Sequence, residues 1–72
     1  MNKPTMKREI AIQSEGTDMI YFWCTPDAAQ AMTRFGPVQR WAYEGQYQLI
    51  VDPRFDFQEV REYILNYGKD NP

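Results

Sequence analysis

The chain has 72 residues, a formal net charge of −2 at pH 7, 43% hydrophobic residues and one cysteine. This length fits one small domain, and the apolar content excludes a disordered chain. The slight acidic excess argues against a general nucleic-acid binder, and a single cysteine excludes an intrachain disulfide. We therefore expect one domain over residues 1–72, with loose ends at residues 1–4 and 69–72.

The first predicted strand covers residues 5–13, where apolar and polar residues alternate. Ile10 and Ile12 fall on its apolar side, as expected for a strand with one buried face. Residues 14–18 are rich in turn-forming types, and Gly16 is available for a positive φ angle. This turn predicts an antiparallel hairpin with the strand that follows.

The second predicted strand, Met19–Cys24, is an unbroken run of apolar and aromatic residues. Such a run is typical of a strand with a cover on both faces, and it is the stretch around which the fold is organised. Side chains alternate along a strand, which divides the run into two sets, Met19, Tyr21 and Trp23 on one face and Ile20, Phe22 and Cys24 on the other.

A helix is predicted over residues 26–35. Thr25 is a suitable N-cap, Pro26 fits the first helical position, and Asp27 complements the positive end of the helix dipole. Gly36 ends the helix at its C′ position, and the proline after it prevents continuation.

A second hairpin is predicted from residues 38–43 and 46–51. A three-residue loop with Gly45 in the left-handed region avoids the positive φ that a two-residue loop would impose on the preceding glutamate. This register pairs Trp41 with Tyr47 and turns both into the core. The same face then holds Gln39, Leu49 and Val51. The opposite face holds Val38, Arg40, Ala42, Gln46, Gln48 and Ile50.

The last predicted helix follows Asp56, which acts as its N-cap, and Glu59 completes a capping box. An apolar stripe with helical spacing is formed by Phe57, Val60, Ile64 and Tyr67. Gly68 is expected to end this helix.

The order strand, strand, helix, strand, strand, helix predicts an α+β fold. We expect a four-stranded, mostly antiparallel sheet with both helices packed on one face. Two helices cannot cover both faces, so one side of the Met19–Cys24 strand stays open. The sequence does not decide which of its two sets of side chains lies there. Either set makes a large exposed apolar patch, and such patches mark interaction sites.

The leading functional hypothesis is a small, non-enzymatic module that binds a protein partner, or a second copy of itself, through this open sheet face in an adaptor or regulatory role. The candidate contact residues are aromatic or arginine side chains, the types enriched at interface hot spots, namely Tyr21, Trp23, Arg40, Trp41 and Tyr43. No cofactor is expected. A structural zinc site is excluded because the chain has no histidine and one cysteine.

A nucleic-acid-binding regulatory domain is the second hypothesis. Arg40 and the aromatic residues near it, with glutamines around them, are types that stack on and read single-stranded bases. Lys3, Lys7 and Arg8 would add positive charge, and binding would then depend steeply on salt. The acidic net charge weakens this hypothesis.

A thiol enzyme that uses Cys24 is the third hypothesis. Cys24 precedes a capped helix N-terminus, a position that stabilises a thiolate. However, Asp27 stands where a thioredoxin-type motif has its second cysteine, and a small buried apolar side chain is the simpler interpretation. Carboxylates that could bind a cation or act as acid and base are not forced into one pocket by the sequence; these are Asp52, Asp56, Glu59 and Glu62.

A cytoplasmic location is expected. A lone cysteine suits a reducing compartment, and the N-terminal residues lack the apolar segment and cleavage site of a signal peptide. No membrane association is expected, because the apolar run Met19–Cys24 is far shorter than the roughly 20 residues of a membrane helix.

Overall fold

The computed structural model describes residues 10–67. Its strands are β1 (Ile10–Glu15), β2 (Met19–Cys24), β3 (Val38–Arg40) and β4 (Gln46–Ile50). Its helices are α1 (Pro26–Ala31), which continues as a 3₁₀ helix over Met32–Phe35, and α2 (Phe57–Asn66). The predicted order of strands and helices is confirmed. The predictions for residues 1–9 and 68–72, including the first residues of the first strand, the loose ends and the helix end at Gly68, lie outside the described residues.

The four strands form one sheet in the order β1–β2–β4–β3, and all three neighbouring pairs are antiparallel. Both helices pack on the same face of this sheet, because their buried residues share one core with the inward residues of the strands. The core consists of Ile10, Ile20, Phe22, Ala28, Met32, Phe35, Leu49, Val51, Val60 and Ile64. The predicted α+β fold is therefore confirmed.

Strand β2 has the bounds expected from the sequence and occupies a central position in the sheet. Ile20 and Phe22 are fully buried under the helices. Because successive side chains of a strand point to opposite faces, Met19, Tyr21 and Trp23 point away from the helices. This settles which of the two sets of side chains lies on the side without helices.

Helix α1 begins as predicted. The Thr25 hydroxyl accepts a hydrogen bond from the Ala28 N–H at 3.2 Å, and Pro26 occupies the first turn. The last turn tightens into the 3₁₀ helix, and Gly36 follows it with φ 152°. A Cβ atom at Gly36 would lie 2.0 Å from the Ile50 carbonyl oxygen, so only glycine fits between this chain segment and β4.

The predicted register of the second hairpin is wrong by one residue. Arg40, not Trp41, lies opposite Tyr47, and the Trp41 N–H donates to the Gln46 carbonyl at 2.8 Å. Tyr47 faces the core side as predicted, but a slip of one residue moves every side chain of the partner strand to the other face. Trp41 is therefore exposed on the face without helices, together with Gln39, and it is not part of the core.

The physical reason for this register is the side chain of Gln46. Its Oε1 atom accepts hydrogen bonds from the backbone N–H groups of Ala42 and Tyr43, at 3.1 and 3.2 Å. These bonds stabilise a four-residue loop over residues 42–45, in which Gly45 has the expected positive φ of 85°. The strands are accordingly shorter than predicted, ending at Arg40 and Ile50.

The first turn also differs from the prediction. β1 continues to Glu15, and Gly16 is not among the glycines with positive φ. The pairing of β1 with β2 shifts by one residue between Ile12 and Ser14, which is a β-bulge. The Gly16 N–H donates to the Met19 carbonyl at 2.7 Å and closes the turn without a positive φ at Gly16.

Helix α2 begins where the sequence predicts. The Asp56 carboxylate accepts a hydrogen bond from the Glu59 N–H at 3.3 Å, which satisfies one of the free donors of the first turn. The apolar stripe is confirmed, with Val60 and Ile64 buried and Phe57 and Tyr67 partly buried against the core.

Candidate interaction surface

The sheet face that points away from the helices is the candidate site, and we call it the open face. Alternation along the strands and the pairing between them assign its residues. They are Ala11, Gln13, Ser14, Met19, Tyr21, Trp23, Gln39, Trp41, Tyr43, Gln46, Gln48 and Ile50.

Exposed apolar surface is concentrated on the open face. It holds four of the five large hydrophobic side chains that are exposed in the described part of the chain. The exposed fractions are 40% for Trp23, 45% for Trp41, 66% for Tyr43 and 38% for Ile50. The fifth side chain, that of Tyr63, belongs to α2 on the helix side. Such a concentration is typical of a surface that binds a partner.

Two aromatic pairs connect β2 with the chain after β3. The ring centroids of Tyr21 and Trp41 lie 5.3 Å apart at an interplanar angle of 59°. Those of Trp23 and Tyr43 lie 6.1 Å apart and are nearly parallel, at 23°. Pairs with this geometry add about 0.5–1.5 kcal/mol beyond the area they bury, so each pair stabilises the positions of its two rings on the open face.

Arg40 is separated from these rings. It pairs with Tyr47, which packs against the core, and it therefore points toward the helix side. There it borders a cleft together with Pro26 and Glu44. The structure thus brings four of the five predicted contact residues together on the open face and places the fifth on the other side of the sheet.

Two glutamines are buried among the aromatic rings, with exposed fractions of 3% for Gln46 and 6% for Gln48. The Gln48 Nε2 atom donates to the Tyr21 hydroxyl at 3.1 Å, and its Oε1 atom accepts from Gln39 Nε2 at 2.7 Å. The Tyr21 hydroxyl donates in turn to the Met19 sulfur at 3.2 Å. Both ends of the Gln48 amide are therefore satisfied within the chain.

The amide of Gln46 is satisfied in the same way. Its oxygen accepts from the N–H groups of Ala42 and Tyr43, and its nitrogen donates to the Gln13 side chain on β1. Since β2 lies between β1 and β4, this last bond crosses over β2. Sequence reasoning missed this buried amide layer. Its only signal was the alternation of Gln46 and Gln48 with core residues of β4.

Within residues 10–67, the open face carries no charged side chain. Glu15, at the end of β1, turns toward the helices, where its carboxylate accepts from the Arg61 Nε atom at 2.7 Å. Arg40 and Glu44 border the cleft on the helix side. As far as the structure describes it, the open face is therefore an aromatic and amide surface without net charge.

Cys24 ends β2 and packs partly buried against the core. Burial raises the pKa of its thiol from 9.0 to about 11. A thiol with this pKa is protonated at neutral pH, and the thiolate is the nucleophilic form. The position before α1 therefore does not activate Cys24, and the side chain behaves as a small apolar group.

The predicted carboxylates do not converge on a shared site. Asp56 caps α2, and the Asp52 Oδ1 atom accepts from the Arg54 N–H at 3.0 Å. Across residues 10–67, no group of three or more potential ligands is placed to hold a metal ion.

A shallow cavity of about 200 Å³ lies on the helix side. The Phe35 ring meets the rings of Phe55 and Tyr63 edge-on, with centroids 5.4 and 5.0 Å away. The Arg34 guanidinium carbon lies 5.4 Å from the centroids of both Phe35 and Tyr63. A cation of the chain itself therefore already covers these aromatic walls.

Comparison of the chain with protein-family models finds no match. Comparison with curated proteins and with solved structures also finds no significant match. In the part of the chain that the structure describes, none of the helices has the length and apolar character needed to cross a membrane.

Proposed function

We propose that this chain is a small, non-enzymatic module that binds another protein through its open face. The observation that carries the proposal is the clustering of Trp23, Trp41 and Tyr43, all at least 40% exposed, on the one sheet face without helices. Tryptophan and tyrosine are enriched among residues that dominate binding energy at protein interfaces. Burial of such rings by a partner would be favourable without any catalytic group.

The charge of the open face favours a protein over a nucleic acid as the partner. Binding of a nucleic acid draws much of its energy from lysine and arginine contacts with phosphates. The part of the open face that the structure describes has neither residue type, and Arg40, the residue proposed for this role, points to the helix side.

The amide layer favours the same choice. Glutamines that read bases need free donors and acceptors. The amides of Gln46 and Gln48 are engaged in bonds within the chain, so they support the aromatic rings and are not available for readout.

A pull-down tests the proposal. The tagged chain is used as bait in lysate of its own source organism, with and without nuclease. The informative comparison is between Tyr43→Ser on the open face and Tyr63→Ser on α2, because both remove an exposed tyrosine. We expect a nuclease-resistant protein that Tyr43→Ser loses and Tyr63→Ser retains.

Two results would contradict the proposal. Capture that disappears with nuclease would favour the nucleic-acid hypothesis. Capture that Tyr43→Ser and Trp23→Ser leave unchanged would move the binding surface away from the open face.

A further inference from the structure

We propose that the protein seated on the open face is a second copy of this chain, in a two-fold symmetric dimer whose sheets pack face to face. This inference rests on the proposed function and names its partner. Charge, satisfied hydrogen bonds and relief support it, and the area of the open face sets the expected strength of the dimer.

The absence of charge among the described residues of the open face is the first support. In a two-fold dimer the same patch occurs on both copies, so any charge near the axis would face its own like charge. The charged residues Glu15, Arg40 and Glu44 all lie toward the helix side. A neutral aromatic face can meet its copy without repulsion.

The satisfied amides are the second support. An apolar partner offers no hydrogen bonds, so a polar group that was bonded to water becomes unsatisfied when the partner covers it. Each such group weakens binding. Here Gln46 and Gln48 keep their hydrogen bonds when water leaves, because all of these bonds lie within one chain. The aromatic rings of a second copy therefore need to supply no hydrogen bonds to them.

The relief of the face is the third support. The rings on β2 and on the chain after β3 form a ridge, which consists of Tyr21, Trp23, Trp41 and Tyr43. Beside the ridge, β1 presents the small side chains of Ala11, paired to Trp23, and Ser14, paired to Tyr21, with the Gln13 amide between them bonded to Gln46. Packed sheets interdigitate large and small side chains. A two-fold axis that lies between the two sheets, parallel to β1 and β2, would place the β2 rings of each copy over the low β1 side of the other.

The size of the face predicts a weak dimer. A fully covered aromatic side chain buries about 150–250 Å², so the partly exposed ridge offers about 400 Å² per copy. Two copies would bury roughly 800–1,000 Å² in all, below the range of about 1,200–2,000 Å² for stable interfaces. We therefore expect a dissociation constant of about 10–100 µM and a monomer on dilution.

Sedimentation equilibrium of the full chain from about 5 to about 500 µM is the test, because this range spans the expected dissociation constant. Ser14→Glu puts a carboxylate on the low β1 side, and Gln58→Glu puts the same charge on an exposed position of α2. Ala11→Glu is the second open-face variant, and far-ultraviolet circular dichroism checks that all variants fold. We expect the wild type to approach the dimer mass, both open-face variants to dimerise at least about tenfold more weakly, and Gln58→Glu to match the wild type within about twofold.

A wild type that stays monomeric over the whole range would overturn the second-copy inference. If that monomer still captures a protein that Tyr43→Ser loses, the proposed function stands and only the identity of the partner is wrong. A dimer that tolerates both Ser14→Glu and Ala11→Glu would use another surface and would also overturn the inference.

Discussion

The ring of Trp41 contacts the ring of Tyr21 across an intervening strand, with 5.3 Å between the centroids. Tyr21 belongs to β2 and Trp41 follows β3, while β4 lies between them. The contact exists because the hairpin register turns Trp41 outward; one residue of slip would turn it into the core. The open face is therefore a product of strand pairing as much as of composition.

Loss of the Trp41 side chain is expected to affect binding far more than folding. Trp41→Ser removes one aromatic contact and exposed surface, which costs about 1 kcal/mol of unfolding free energy. Phe22→Ala empties a fully buried site in the same sheet and costs about 3–5 kcal/mol, which leaves a domain of this size largely unfolded. Urea denaturation measures both. A Trp41→Ser loss comparable to that of Phe22→Ala would show that Trp41 is a core residue.

Gln48 is expected to be structural although it lies on the open face. Gln48→Ala leaves the Tyr21 hydroxyl and the Gln39 amide without their partner, at a cost of about 1–2 kcal/mol. Gln58→Ala removes an exposed glutamine side chain from α2 and should change the unfolding free energy by less than about 0.5 kcal/mol. Thermal or urea unfolding compares the two variants. Equal losses of unfolding free energy in the two variants would mean that the hydrogen bonds of Gln48 do not stabilise the fold.

Gly36 is expected to tolerate no side chain. A methyl group there would meet the Ile50 carbonyl oxygen at 2.0 Å in a backbone with φ 152°, so Gly36→Ala should cost at least about 3 kcal/mol. Gly16→Ala is the matched control, because its Cβ would meet only the flexible Met19 side chain, at 3.1 Å. Its effect should stay within about 1 kcal/mol in either direction. A mild Gly36→Ala variant would contradict the close packing of this segment against β4.

The Cys24 thiol is expected to lose its proton at a higher pH in the folded protein than in the unfolded chain. The free energy of unfolding should therefore fall at alkaline pH. The folded pKa is about 11 against 9.0 for the free side chain, so between these values the unfolded chain loses its proton first. The unfolded state is thereby favoured, and the contribution that is intact below pH 9.0 is lost as the pH rises toward about 11. Unfolding measured across this window should show a fall in the wild type that Cys24→Ala reduces.

Alkylation of the folded protein gives an independent reading of the same thiol. Cys24 should react slowly at neutral pH and speed up toward pH 11. Rapid modification at neutral pH, with the protein still folded, would revive the thiol-enzyme hypothesis.

The sequence predicts the parts of this fold that depend on local chemistry. The apolar run of β2, the N-cap at Thr25 and the glycine at position 36 each have a local signature, and each is where it was expected. The stripe through Val60 and Ile64 likewise follows from helical periodicity alone.

The sequence does not predict features that depend on contacts between distant segments. The outward position of Trp41 follows from the bonds between Gln46 and the loop N–H groups, a side-chain effect that strand alternation does not reveal. The β-bulge near Gln13 has no local signature either. The hydrogen bond from Gln46 to Gln13 across β2 joins residues that are 33 positions apart. The composition therefore predicts an aromatic surface. Which aromatic residues lie on it depends on the register of the second hairpin.

Tryptophan fluorescence tests the central claim most directly, because the chain has two tryptophans and both lie on the open face. Emission under selective tryptophan excitation would be followed as the protein is concentrated from about 5 to about 500 µM, and again with any captured partner. We expect the emission maximum to move to shorter wavelength as binding removes Trp23 and Trp41 from water. An emission maximum that stays constant while the measured mass rises would place the contact on another surface and contradict the claim that the open face is where this protein binds.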